Sequence, residues 1–271
     1  MKGEPLDDED DTKMTGAAEA ITIERNDGVC IVTLNRGDRL NAADRHLHGA
    51  LTKVWSDAAA DPGTGAIVIT GSGRAFSAGG DMELLQAMTD DVGVRAEVLA
   101  EGAAIVRAMV ECPLPIVAAV NGPAVGLGFS LVSLSDLVVM AESAFFADPH
   151  VSIGLVAGDG GAITLPLLAS LLRAKEFVLL GDRISAGDAL RLGLANRVVP
   201  GDEVLPVALE LAARMAGYPR QAVVETRRLL NLGLSAAVEA GLDGALAAES
   251  ASFTTPEFQA NLAALRARQS S

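Results

Sequence analysis

Two glycine-bearing turns and two ionisable side chains carry the chemistry that can be read from this chain. The first turn is Ala75-Phe76-Ser77-Ala78-Gly79-Gly80-Asp81; the second is Asn121-Gly122-Pro123-Ala124-Val125-Gly126-Leu127-Gly128. Glycines so placed let the backbone turn sharply and leave main-chain N–H groups open to a ligand. The second turn opens a helix, whose first N–H groups have no intrahelical acceptor and can face a developing negative charge. Two backbone donors from two separate turns are what an oxyanion hole needs. The ionisable candidates are His150, in Asp148-Pro149-His150, and Asp159, in Ala157-Gly158-Asp159-Gly160-Gly161. A histidine titrates near neutrality and can serve as acid or base, or be a satisfied buried polar group. An aspartate between glycines serves equally well as an Asx-turn or a helix cap. Other chemistries lack their residues. Gly128-Phe129-Ser130-Leu131-Val132 misses the second glycine of a nucleophile elbow, and no Walker A or dinucleotide fingerprint follows a strand. His46 and His48 stand two apart on an expected helix and so point to different faces.

The elements that must hold these turns follow from hydrophobic pattern. Ile116 to Val120 is apolar and β-branched, a buried strand running into the second turn, and Ala66 to Thr70 is a buried strand upstream of the first. Ile21 to Arg25 alternates, Asp27-Gly28 marks a turn, and Val29 to Leu34 returns. Asn41 reads as an N-cap with Asp44 three residues on, ahead of Leu47, Leu51, Val54 and Trp55 at helical spacing. Residues 105–110 read as helix, and 137–140 and 145–146 as short strands. Beyond Ala186 the pattern is helical, near 203–217, 221–234, 236–251 and 256–268, with a last strand at Val198-Val199. Strand, glycine turn and helix thus recur as an architectural rather than a sequence repeat. Residues 1–18 are acidic and aperiodic, which predicts a disordered leader.

Composition sets the outer bounds. The chain has 271 residues, of which 50% are hydrophobic but only 3% aromatic, so aliphatic side chains must build the core. A net charge of −14 opposes nucleic acid as a partner, since phosphate binding needs clustered cations. Cys30 and Cys112 sit in apolar surroundings and fit reduced buried thiols rather than a disulfide or metal framework. No basic segment precedes an apolar stretch, and no apolar run is long enough to span a bilayer, so the expected location is the cytoplasm.

A strand followed by NG-x-A-x-G-x-G, with AFSAG-x-D upstream, resembles the crotonase superfamily, also called the enoyl-CoA hydratase/isomerase family. The resemblance continues through Ser135-Asp136, Phe146 to Gly161, and Gly181-Asp182-Arg183-Ile184-Ser185-Ala186, and covers roughly residues 18–269. It implies an α/β fold: a crotonase-like spiral of ββα units over 19–200, then a C-terminal helical region over 201–271 that builds a homotrimer or a dimer of trimers. It implies an acyl-CoA thioester as partner, with coenzyme A carried by the substrate and no separate cofactor or metal. Membrane and nucleic acid are not expected as partners. Matched residue by residue, the N–H groups of Ala78 and Leu127 would hold the thioester oxygen. The two glutamates of the family's hydratases fall at Ser130 and His150, and Asp159 falls where relatives place an aspartate. Arg39, Arg74 and Phe76 would contact coenzyme A, and Arg268 would serve a neighbouring subunit's site, although Leu265 replaces an aromatic common there. With neither glutamate present, the expected reaction is isomerisation or another enolate chemistry using His150 and Asp159, with hydration slow. The alternatives are an enoyl-CoA hydratase of fatty-acid metabolism and a non-catalytic acyl-CoA-binding protein.

Overall fold

Alternating and continuous apolar runs take up the strands expected of them in the computed structural model, which describes residues 19–269. The expected leader at 1–18 lies outside the described residues. β1 (Ile21–Asn26) and β2 (Val29–Leu34) form an antiparallel hairpin. Its turn residues Asp27 and Gly28 have φ of 48° and 77°, as a tight hairpin of primed type requires. β3 (Ala66–Gly71) pairs in parallel with β2, and β4 (Ile116–Val120) with β3. Every residue of β3 and β4 is buried, which is why both read as unbroken apolar runs. β5 (Ala124–Val125), β6 (Leu137–Ala141), β7 (Phe145–Ala147), β8 (Ile184–Ser185) and β9 (Arg197–Val199) complete the strands. The main sheet has the order β1-β2-β3-β4-β6-β9, and a small second sheet has the order β5-β7-β8. The α/β expectation is met, and the two-residue strands β5 and β8 are additions too short to carry a pattern.

The helices before residue 200 are α1 (Arg45–Leu51), α2 (Val54–Ala60), α3 (Met82–Asp90), α4 (Val92–Glu111), α5 (Leu127–Ser133), α6 (His150–Ile153), α7 (Gly161–Leu168), α8 (Leu171–Leu180) and α9 (Ala186–Leu192). After it come α10 (Val204–Ala216), α11 (Arg220–Leu230), α12 (Leu232–Ser252) and α13 (Pro256–Gln269). α4 begins well before residue 105 because the Asp91 carboxylate accepts the N–H groups of Gly93 and Val94, at 2.7 and 3.3 Å. Asn41 is not the cap of α1. Asp44 is, accepting the Leu47 N–H at 2.9 Å. Asn41 instead adopts φ 53° and is fully buried, its amide donating to the carbonyls of Ser72 and Ala75 at 2.9 Å each. Arg36 pairs with the cap carboxylates of both α1 and α3, Asp44 at 3.2 Å and Asp81 at 3.3 Å. The segment after β2 is thereby tied to the turn after β3.

One core joins the sheet to Val204, Ala208 and Ala212 of α10 and to Val238, Leu242 and Leu246 of α12. A second, smaller cluster gathers Leu84, Met88, Val98, Leu155, Phe253, Phe258 and Leu262. Few aromatics are available, and most are spent inside: Trp55, Phe76, Phe129, Phe146, Phe253 and Phe258 are all fully buried. Among the described residues no single helix is long and apolar enough to cross a membrane.

The C-terminal helices are locked to the sheet by one buried cation. Arg227 of α11 donates to Asp136 at 2.8 Å and to the carbonyls of Met109, Val110 and Cys112 at the end of α4. Asp136 in turn accepts the Ile116 N–H that starts β4, at 2.7 Å. A cation at a helix C-terminus is favourable, and removing one partner of a buried pair strands the other. Arg227→Met should therefore lower unfolding free energy in urea by about 3–5 kcal/mol. A loss below about 1 kcal/mol would mean the pair is no better than a surface ion pair.

Candidate active site

The two glycine turns run side by side. Phe76 and Ser77 both donate their N–H to the Pro123 carbonyl at 3.1 Å, and Val125 donates to the Ser77 carbonyl at 2.9 Å. Ser77 and Ala124 form a parallel bridge, and the same register sets Gly79 beside Gly126 and Gly80 beside Leu127. The approach is too close for side chains. A Cβ at Gly79, where φ is 87°, would lie 2.9 Å from the Val125 carbonyl oxygen, and one at Gly128 would lie 2.7 Å from Ser77 Cβ. Among the described residues, neither the Gly80 N–H nor the Leu127 N–H has an acceptor. Leu127 opens α5, so its donor is one that a helix start leaves over. Ala78 is different. Its N–H donates to the Leu40 carbonyl at 2.9 Å, which takes it out of the expected donor pair. Gly80, two residues on, lines the cavity and keeps an N–H without an acceptor among the described residues.

Both turns face a cavity of about 130 Å³. Most of its wall is aliphatic, with Met82, Leu84, Leu85 and Met88 of α3, Val98 and Leu99 of α4, Leu155, and Leu246 of α12. Its ionisable members are His48, His150, Asp159 and Glu249. His150 opens the four-residue α6, and its Nδ1 lies 2.5 Å from Asp148 Oδ1. Its Nε2 faces Asp159 Oδ2 at 3.8 Å. Ser130 of α5 donates its hydroxyl to Asp159 Oδ1 at 3.1 Å. Ser130 stands behind Asp159 rather than on the cavity wall. Glu249 comes from α12; its Oε2 is buried and has no hydrogen-bond partner.

The electrostatics separate these groups. Burial opposes a charge on His150, but the carboxylate of Asp159, then the hydrogen bond and charge of Asp148, prevail and push it up to about 10. It is an imidazolium at neutral pH, and not itself a base. Burial first, then the charge of Asp159, pushes Glu249 up to about 8. Burial raises Asp159 as well, against the pull of His150 and of the Ser130 hydroxyl. Two buried carboxyls that repel one another titrate as a pair rather than singly. Within the pair, the Ser130 hydroxyl and the His150 cation 3.8 Å away favour the charged form of Asp159.

Of the residues singled out in the sequence, His150, Asp159 and Leu127 line the cavity; Glu249 and Gly80 line it as well and carry no role in the sequence reading. A signal for Glu249 exists: Val238, Leu242, Leu246 and Glu249 recur at i, i+4, i+8 and i+11, so the carboxylate falls on the buried stripe of α12. Phe76 is corrected. Its ring is fully buried in the core and does not line the cavity. Arg39, Arg74 and Arg268 are exposed and lie outside the cavity wall.

Residues 24–268 match the enoyl-CoA hydratase/isomerase family. A probable enoyl-CoA hydratase of Mycobacterium bovis is 31% identical over 224 residues, 83% of this chain and 86% of that protein. The crystal structure of an enoyl-CoA hydratase/isomerase from Mycobacterium paratuberculosis is 49% identical and superposes with a TM-score of 0.88, covering 90% of this chain and 98% of the other. A monofunctional enoyl-CoA isomerase from M. smegmatis is 32% identical with a TM-score of 0.68, covering 85% of this chain and all of the other.

The raised Glu249 carboxyl has a consequence for stability. A group held above its unfolded pKa stabilises the fold at pH values below the unfolded value, and that contribution is lost as pH rises through the folded one. For Glu249 the window runs from about 4.5 to about 8. Glu249→Gln keeps the neutral shape, so urea midpoints should show the variant gaining on the parent across this window and matching it below. A difference that is constant with pH would place Glu249 in an ordinary solvated setting.

Proposed function

The chain belongs to the enoyl-CoA hydratase/isomerase family, and on that premise we propose that it isomerises an unsaturated acyl-CoA thioester by moving a proton between two acyl carbons. One observation carries the reading: a single cavity holds two unpartnered backbone donors and two buried carboxyls that burial raises. Asp159 removes a proton from an acyl carbon, and the negative charge passes to the thioester oxygen. The N–H groups of Gly80 and Leu127 receive that oxygen. One such donor is worth about 3–4 kcal/mol in the transition state. Glu249 delivers its proton to the other end of the allylic system. The proton on Asp159 then passes to Glu249 and restores the starting state. No water enters or leaves. His150, clamped by Asp148, remains an imidazolium and holds the charge on Asp159.

Hydration is the second reading, and Glu249 is what favours it. Asp159 and Glu249 supply a carboxyl pair from elements other than those bearing Ser130 and His150, so the loss of glutamates there does not by itself make hydration slow. A purely binding role leaves two buried carboxyls without a purpose, at the cost that burying such groups carries. The exposed Arg39, Arg74 and Arg268 are suited to the phosphates of coenzyme A. Exposed Leu171, Leu172, Leu179 and Leu180 on α8, with Leu229 and Leu230 ending α11, support assembly into trimers.

Isomerisation of a 3-enoyl-CoA, hydration of crotonyl-CoA and deuterium exchange at the α-carbon should be assayed together. Asp159→Asn should slow isomerisation and exchange by about 10²–10⁴-fold. Glu249→Gln should slow isomerisation more than exchange, because exchange needs only the base and the donors. Rapid exchange in Asp159→Asn would remove Asp159 as the base, and hydration outpacing isomerisation in the parent would favour the second reading.

A further inference from the structure

The proposed proton transfer leaves one ionisable group of the cavity wall unused. His48 of α1 is only 9% exposed and lines the cavity. Its Nδ1 is buried without a hydrogen-bond partner and lies 3.6 Å from Glu101 Oε2, itself buried and unpartnered. Glu101 is also drawn to Arg45, 3.6 Å away. The other ring nitrogen, Nε2, is not among the buried atoms, and no described residue hydrogen-bonds to it. Burial first, then the charge of Arg45, pushes His48 down to about 4, so the ring is neutral and carries one N–H. A carboxylate can only accept. The nearby Glu101 carboxylate favours the tautomer with its N–H on Nδ1, which leaves Nε2 as the acceptor of a ring that lines the cavity.

That acceptor belongs to a wall that also contains the aliphatic Met82, Leu85, Val98 and Leu99. A plain hydrocarbon chain would cover it without supplying a donor, which is unfavourable for a buried acceptor. An ammonium group would have to shed its hydration against the same aliphatic side chains. A hydroxyl meets both conditions, donating one hydrogen bond at a small desolvation cost. We propose that His48 Nε2 accepts a hydrogen bond from a hydroxyl on the acyl chain, so that the preferred substrates are hydroxylated acyl thioesters. The inference rests on the acyl-thioester reading of the cavity and adds the substituent that the chain carries. His48 is a specificity-determining residue here and takes no part in the proposed proton transfer.

The test uses matched pairs of unsaturated acyl-CoA thioesters, each with and without one hydroxyl, the hydroxyl being moved along the chain. Both kcat/KM and thermal stabilisation by bound thioester are measured. The parent should prefer the hydroxylated member by about two- to tenfold at one hydroxyl position, the worth of one net hydrogen bond. His48→Phe and His48→Leu should bring that ratio towards one, and His48→Gln, which retains an acceptor, should restore part of it. A merely structural role would lower both members of a pair together and leave their ratio unchanged. A parent that turns over thioesters but shows no preference at any position overturns the proposal and leaves the isomerase reading standing. So does a preference that survives in both apolar variants. A parent that neither binds nor turns over any CoA thioester overturns the proposal together with the reading beneath it.

Discussion

Everything at the site depends on the backbone pairing between the two turns that follow β3 and β4. Three main-chain hydrogen bonds and one bridge hold residues 76–80 against 123–127 in parallel. The pairing excludes side chains at Gly79 and Gly128, and its register brings the Gly80 and Leu127 donors to the same level. It is possible because β3 and β4 are adjacent, fully buried and parallel, so the chain leaves both at the same end of the sheet. Asn41 and Arg36 hold the first turn from its other side. Backbone donors fixed in this way need no reorganisation when charge develops, which is the source of their effect on a transition state.

Around those donors the protein buries more ionisable groups than a core normally tolerates. Asp148, His150, Asp159 and Glu249 meet in one region from α12, α6 and the loops around α6, with Ser130 of α5 behind them. Buried charges persist only when paired. Asp148 pairs with His150 and His150 faces Asp159, whereas Glu249 Oε2 has no partner and its carboxyl is raised by burial. In the proposed reaction it is environment, rather than residue type, that makes one carboxyl the base and the other the acid. α12 contributes to both the core and this cluster, and α11 beside it is held down by Arg227, so the C-terminal helices share in the site.

Much of this was legible in the sequence, and the failures are instructive. Buried strands announce themselves as β-branched runs, and a glycine turn after such a run marks where a backbone donor can be exposed. Which amide within the turn is free is not a property of the turn alone. Ala78 loses its N–H to Leu40, a residue whose φ of 54° no pattern foretells. Asn41 looks like a cap because asparagine caps helices, yet here it bridges loops distant in sequence. Phe76 adjoins the donor turn in sequence but faces the core. Glu249 is a lone glutamate among alanines, which ordinarily means a solvated helix face. Only its phase relative to Leu242 and Leu246 tells otherwise. Long-range partners decide each of these cases, and local pattern does not contain them.

The central claim is that the thioester oxygen sits between two particular amides with the acyl chain against the carboxyl pair. A crystal structure with an unreactive acyl-CoA thioester tests it most directly. The account requires the thioester oxygen within about 2.7–3.1 Å of both the Gly80 and Leu127 nitrogens, with the acyl chain passing between Asp159 and Glu249. An oxygen held by any other pair of donors, or an acyl chain lying away from these carboxyls, would contradict it.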